Sequence, residues 1–281
     1  MKIHFTKMHG TGNDYVYVNL FTEKLTDYSG FARFVSDRHK GIGSDGFIGI
    51  APSDVGDVRM IMYNADGSEG AMCGNGIRCV AKYAYEHGLA VKEEMKVETK
   101  SGIKTVYLTV EDGKVQAVRV NMGPAILQPE KIPVQLEGEE VINREIMVKD
   151  TPYSITCVSM GNPHCVVFVE DPGKIDLEKI GPLFENHPLF PDRINTEFVQ
   201  VVDDHTLNMR VWERGSGETI SCGTGSCAAT VAAVCNGYCR KEVEVAVHVL
   251  GGTLYDTYQN NGEVYMKGPA TEVFEGDILF E

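Results

Sequence analysis

The chain has no apolar run near the roughly 20 residues that a membrane span needs, so no membrane role is expected. No cluster of lysine and arginine stands out. Its 26 basic residues are outnumbered by 40 acidic ones, giving a net charge of −14. Nucleic acids and anionic membranes are therefore poor partners. The start, Met1-Lys2-Ile3-His4-Phe5, alternates like a strand and lacks the apolar core of a secretion signal. A cytoplasmic, reducing setting follows as the expectation for the eight cysteines. Matched short Cys pairs of the zinc type are also missing. Cys73/Cys79 and Cys222/Cys227 are spaced too widely, and Cys235/Cys239 has no matching pair in the first half. No metal is expected. The turn Gly10-Thr11-Gly12-Asn13 lacks the Lys and Ser/Thr of a phosphate loop. The turn Gly41-Ile42-Gly43-Ser44-Asp45-Gly46 has no parallel strand–helix–strand unit expected around it, which disfavours a dinucleotide fingerprint.

Two short stretches carry the strongest signal. Cys73-Gly74-Asn75-Gly76 and Cys222-Gly223-Thr224-Gly225 each open a predicted helix, ended near Gly88 and Gly237. The first turn of a helix offers unpaired N–H groups and a partial positive charge. Glycines there admit a ligand close to the backbone, and a carboxylate fits such a turn. A cysteine at that position is expected to have its pKa lowered. The two cysteines lie 149 residues apart, and the same offset relates other positions. Asn13 maps to Asn162, each after a glycine. Asn64 maps to Glu213, each after an aromatic residue, and Glu69 maps to Glu218. A single offset kept over so long a span indicates two homologous halves. If the halves pack face to face, two thiols confront one another across a cleft.

At 281 residues the chain can form two ordinary domains. Predicted strands dominate, with short helices at Phe31–Arg38, within Asp176–Asn186 and after each cysteine turn. The fold class is α+β: two pseudo-symmetric domains, each a β-sheet wrapped around a mostly buried central helix. The first half is read as 1–122, the second as 123–267, with a final strand at about 268–281 able to return to the first. Met122-Gly123-Pro124 reads as the linker. Cys79, Cys157, Cys165, Cys227 and Cys235 read as small buried hydrophobes, and Cys239 is open.

Several stretches together resemble the diaminopimelate epimerase family: Tyr63-Asn64-Ala65-Asp66-Gly67-Ser68-Glu69, Cys73 to Cys79, Gly161-Asn162-Pro163-His164, Glu213 to Thr219 and Cys222 to Gly225. The resemblance runs the whole length. It implies a cofactor-independent isomerase that interconverts LL- and meso-diaminopimelate, on the way to lysine and peptidoglycan. It implies that Cys73 and Cys222 are the acid/base pair. It implies that Gly74, Asn75, Gly223 and Thr224 cradle the carboxylate at the reacting carbon. Asn13, Asn64, Asn162, Asn195, Glu213 and Arg214 would hold the remaining groups, with His164 and Glu213 near the thiols. Many members have glutamine where Gly46 stands, so that contact is missing or supplied otherwise.

The residues themselves favour some of this and leave some open. Two groups on opposite faces of a carbon suffice to exchange its proton with inversion. Two helix starts aimed at one carboxylate would stabilise the developing carbanion. Arg214 suits a carboxylate in two-point geometry, and a surface ion pair is its plain alternative. A lone histidine such as His164 is more often a structural group. Arg78 reads as a buried structural cation and stays outside the site. A racemase of another amino acid (proline- or histidine-racemase-like) is the alternative within the enzyme class, and a binding or metal-storage module using the cysteines the alternative outside it. The expected partner is a small amino acid; a homodimer is compatible with the sequence.

Overall fold

The structure is a computed structural model that describes residues 1–281. The chain divides into two compact units: Met1–Asn121 with Lys267–Glu281, and Met122–Met266.

In the first unit, β1 (Lys2–Gly10) turns back into β2 (Asn13–Asn19) through Thr11 and Gly12, both at positive φ. A two-residue loop with that backbone matches the twist of its strands. Next come α1 (Tyr28–Ser36), β3 (Gly46–Ala51) and β4 (Val58–Asn64). The Asp27 carboxylate caps α1 by accepting from Gly30 N–H at 2.8 Å. Phe31, Ala32 and Val35 on one face of α1 pack against Val16, Val18 and Phe47. Burying each of the larger side chains there stabilises the unit by about 1.5–3 kcal/mol. β5 (Glu69–Gly70), α2 (Gly74–Glu86), β6 (Glu94–Thr99), β7 (Gly102–Glu111) and β8 (Lys114–Pro124) follow. The last strand, Thr271–Leu279, pairs antiparallel with β1.

The second unit repeats this plan. Its elements are β9 (Arg144–Val148), β10 (Thr151–Ser159), β11 (Pro163–Phe168), α3 (Leu177–Glu185), β12 (Asn195–Asp203), β13 (Thr206–Glu213) and β14 (Gly217–Thr219). Then come α4 (Gly223–Cys235), β15 (Val245–Val249), β16 (Gly252–Tyr258) and β17 (Glu263–Gly268). The pairing registers keep the sequence offset: Tyr63 faces Glu69 in one unit and Trp212 faces Glu218 in the other. α4 is buried nearly all round, and its alanines, valines and Cys227 leave room for strands β10 to β13, β15 and β16 on several sides.

Two sequence expectations are corrected here. Met122-Gly123-Pro124 is not a linker but the end of β8, because the buried alternation of Val118 and Val120 runs on through Met122. The unit boundary falls inside that strand. Parallel strand–helix–strand units do exist: β2–α1–β3 and β4–α2–β6, and in the second unit β11–α3–β12 and β13–α4–β15. The Gly41–Gly46 turn still lacks fingerprint geometry, since it follows α1 and opens a strand, whereas the fingerprint follows a strand and opens a helix.

Candidate active site

Both cysteines are helix N-caps with nearly the same backbone. Cys73 has φ −126° and ψ 121°, and Cys222 has φ −117° and ψ 109°. Each sulfur accepts a hydrogen bond from the glycine N–H three residues on: Gly76 to Cys73 at 3.3 Å, Gly225 to Cys222 at 3.4 Å. A serine or aspartate oxygen usually does this work. A side chain at either third position would be crowded. A Cβ on Gly76 would lie 2.6 Å from Ile48 Cδ1, and one on Gly225 would lie 2.7 Å from Glu197 Oε1.

Around Cys73, the thiol donates to Asn13 Oδ1 at 3.2 Å. Asn13 Nδ2 in turn donates to Asp45 Oδ2 at 2.7 Å. Arg38 bridges Asp14 and Asp45, and Lys7 pairs with Asp14. Burial and neighbouring Asp14 push the Asp45 carboxyl up. Asn75 Oδ1 accepts from Arg78 Nη1 at 2.9 Å and from Thr11 Oγ1 at 3.3 Å. Arg78 is fully buried and also donates to the Pro269 carbonyl, so it is the structural cation the sequence suggested. Gly74 opens the helix, and its carbonyl accepts from Arg78. Asn64, at the end of β4, donates to Ser68 Oγ at 3.0 Å.

Around Cys222, Thr224 Oγ1 lies 3.6 Å from the sulfur and accepts from Asn162 Nδ2 at 3.2 Å. Asn162 Oδ1 faces His164 Nε2 at 3.1 Å, and His164 Nδ1 faces Glu197 Oε1 at 2.7 Å. Asn195 ties the unit together: its Nδ2 donates to the Pro163 carbonyl at 2.9 Å and its Oδ1 accepts from the Arg214 N–H at 2.8 Å. The Arg214 guanidinium donates to the Asp192 carbonyl at 2.8 Å. Glu213 accepts from the Thr219 hydroxyl. Gly223 is buried in the first turn of α4.

The expected lowering of the thiol pKa values does not occur. Burial pushes the Cys73 thiol up, against the N–H groups of Gly76 and Asn75, the Tyr15 hydroxyl and the Arg78 charge, which all pull it down. Burial drives Cys222 well above its ordinary value, and Glu213 and Glu197 add to that. Removing water from a thiolate outweighs two or three backbone dipoles here. All eight cysteines are free. Cys79, Cys157, Cys165 and Cys227 are buried as expected, but Cys235, the last residue of α4, is only partly so. Cys239 is buried.

Within the first unit the structure brings Asn13, Gly74 and Asn75 to Cys73. Within the second it brings Asn162, Gly223 and Thr224 to Cys222, with His164 behind them. Arg214 and Asn195 form a separate hydrogen-bonded pair. Sequence reasoning missed Tyr15, Asp45 and Glu197. Tyr15 had a signal: it maps onto His164 at the same offset.

The comparisons with known proteins fit this geometry. The family model described as diaminopimelate epimerase matches residues 5–128 and 156–273. The chain is 53% identical to a diaminopimelate epimerase from Acetivibrio thermocellus, over 98% of each chain. It is 56% identical to one from Agathobacter rectalis, again over 98% of each. A relative of the same name from Methanococcus maripaludis is 52% identical over 98% of this chain and 99% of its own. Among solved structures, a Bacillus anthracis phenazine biosynthesis protein of the PhzF family aligns with a TM-score of 0.70 at 18% identity, over the full length of both chains. A hydroxyproline epimerase from Agrobacterium vitis aligns with a TM-score of 0.68 at 15% identity, covering 99% of this chain and 91% of that one. At those identities the likeness is one of fold.

Proposed function

Since the chain belongs to the diaminopimelate epimerase family, we propose that it interconverts LL- and meso-2,6-diaminopimelate without a cofactor, with Cys73 and Cys222 as the acid/base pair. The activity supplies precursors of lysine and peptidoglycan. It runs in the cytoplasm, where thiols stay reduced. No helix is long and apolar enough to cross a membrane.

One observation carries the reading: two cysteines hold the same capping geometry in two repeated units. The α-proton of an amino acid is very weakly acidic, so its base must be strong. A thiol whose pKa is raised by burial gives a strongly basic thiolate once it loses its proton, and both cysteines have that environment. One thiolate takes the proton, and the other thiol returns one to the opposite face. The N–H groups at the two helix starts, with Asn75 and Thr224 beside them, favour the charge that builds on the substrate carboxylate.

The two units differ where Glu213 and Arg214 replace Asn64 and Ala65. That difference suits a substrate with a second polar end. Arg214 takes the distal carboxylate, and Glu213 or an asparagine takes the distal amine. Polar partners left unpaired reject analogues strongly. The test is to supply purified protein, without cofactor, with LL-diaminopimelate, lysine, proline and alanine. Inversion of diaminopimelate alone is expected. Inversion of lysine or proline at a comparable rate would overturn the substrate, and no inversion of any of them would overturn the activity.

A further inference from the structure

Glu197 is a buried carboxyl group near Cys222 for which the proposed reaction has no use. It stands in the middle of β12, and its side chain and that of His164 are both 0% exposed. The position 149 residues earlier is Ile48, an apolar residue that crowds Gly76 as Glu197 crowds Gly225. One unit therefore fills this place with a hydrocarbon and the other with a carboxyl group. Burying that group is unfavourable, and its second oxygen, Oε2, meets no hydrogen-bond donor.

The hydrogen bonds around it have a fixed direction. Asn162 Nδ2 donates to Thr224 Oγ1, so Asn162 Oδ1 is turned to His164 Nε2. An amide oxygen only accepts, so Nε2 must carry a proton. Nδ1, at 2.7 Å from Glu197 Oε1, then shares one further proton with the carboxyl group. That proton rests on either partner, and the pair is neutral overall in both arrangements. Loss of the proton would leave a net negative charge in a dry site, which burial resists. With Asn162 so oriented, the Thr224 hydroxyl has accepted its bond and has its own proton free to point at Cys222 Sγ, 3.6 Å away.

We infer that Glu197 is a positioning residue: by keeping His164 protonated at Nε2, it sets the direction of a hydrogen-bond chain through Asn162 and Thr224 that ends as a donor to the Cys222 sulfur. The inference deepens the epimerase reading and rests on it for the role of Cys222. A donor at the end of the chain favours the Cys222 thiolate. Other groups act on the same sulfur: Glu213 from β13 and Glu197 itself from β12, while Cys222 and Asp256 in turn raise the Cys227 thiol along α4. Glu197 as a bare charge would oppose the thiolate. As the holder of a proton it supports it, and the two roles have opposite signs.

The test needs no substrate. First, histidine-selective ¹⁵N NMR of the native protein at pH 7 should show Nε2 of His164 protonated; a bare Nε2 would overturn the proposal. Second, Glu197→Gln keeps size and shape but needs no shared proton, so it releases the direction of the chain. Alkylation by iodoacetamide, read by peptide mapping across pH, should become about fivefold slower at Cys222 and stay unchanged at Cys73. Faster alkylation at Cys222 would mean that Glu197 acts only as a nearby charge, and an unchanged rate that it is a bystander; either overturns the proposal. These readings stand apart from turnover, so a protein with the expected NMR and alkylation but no epimerisation would sink the function and leave the hydrogen-bond chain.

Discussion

Gly76→Ala and Gly225→Ala are the same change at equivalent places, and the structure predicts different results. At Gly76 the new methyl meets Ile48 Cδ1 at 2.6 Å and Met60 Cε at 3.2 Å. Both are the ends of flexible side chains: Met60 Cε need give only slightly, and Ile48 Cδ1 must rotate away by about 1 Å to regain ordinary carbon–carbon separation. The strain is then offset by the roughly 0.5–1 kcal/mol that alanine gains over glycine in a helix. A net change within about 1 kcal/mol is expected. At Gly225 the methyl meets Glu197 Oε1 at 2.7 Å and the sulfur of Cys222 at 3.2 Å. Oε1 is fully buried and held by His164 at 2.7 Å, so it cannot swing aside without breaking that bond. Overpacking of about 1–3 kcal/mol adds to about 1–3 kcal/mol for a buried polar group that loses its partner. Paired urea titrations of the two variants should therefore separate clearly, with Gly225→Ala the weaker by about 2 kcal/mol or more. Turnover should fall much further in Gly225→Ala than in Gly76→Ala. Equal tolerance of the two alanines would refute the reasoning, because it would mean that Glu197 is free to move.

Further outcomes follow from the same contacts. Cys73→Ala and Cys222→Ala should each reduce epimerisation below a few per cent of the parent rate in a steady-state assay, and a variant above that level would contradict the two-base assignment. Cys227→Ala should lower stability by roughly 1–2 kcal/mol with little loss of turnover, which thermal melting and rate measurements would check together. Arg214→Lys keeps the charge but loses the two-point geometry, so turnover of diaminopimelate should drop at least about tenfold; a rate near that of the parent would remove Arg214 from substrate binding. Stability should decline at alkaline pH. Burial raises Cys79 to about 11, above its unfolded value of about 8.5, so the folded state holds that proton more tightly. Its contribution is intact below about pH 8.5 and is lost as pH rises towards 11. Cys79→Ala should flatten that part of the stability profile.

Much of this was legible in the sequence, for reasons that can be named. The offset between Cys73 and Cys222 reappears as shared pairing registers, because duplicated strands keep their partners. Glycines after each cysteine marked helix starts, and both cysteines cap those helices. The pKa direction was not legible. The N–H groups of a helix start are local and visible in sequence, whereas burial depends on strands far along the chain. The parallel crossovers were missed because periodicity marks strands and helices but not which separated strands pair. Met122 to Pro124 looked like a linker because glycine and proline adjoin there, yet buried alternation carried the strand through. Glu197 did leave a signal. It stands directly before Phe198 and Val199, at the position occupied by Ile48 in the other half.

The central claim is that two thiols exchange the proton of one carbon with inversion. It is tested most directly by incubating the protein with LL-diaminopimelate in deuterated water, with no cofactor added, and following deuterium by mass spectrometry at low conversion. The account predicts that each meso molecule formed carries one deuterium at the inverted carbon, while unreacted LL-diaminopimelate stays protiated. Meso product that retains the substrate's own hydrogen, or deuterium entering the LL form without inversion, would contradict it.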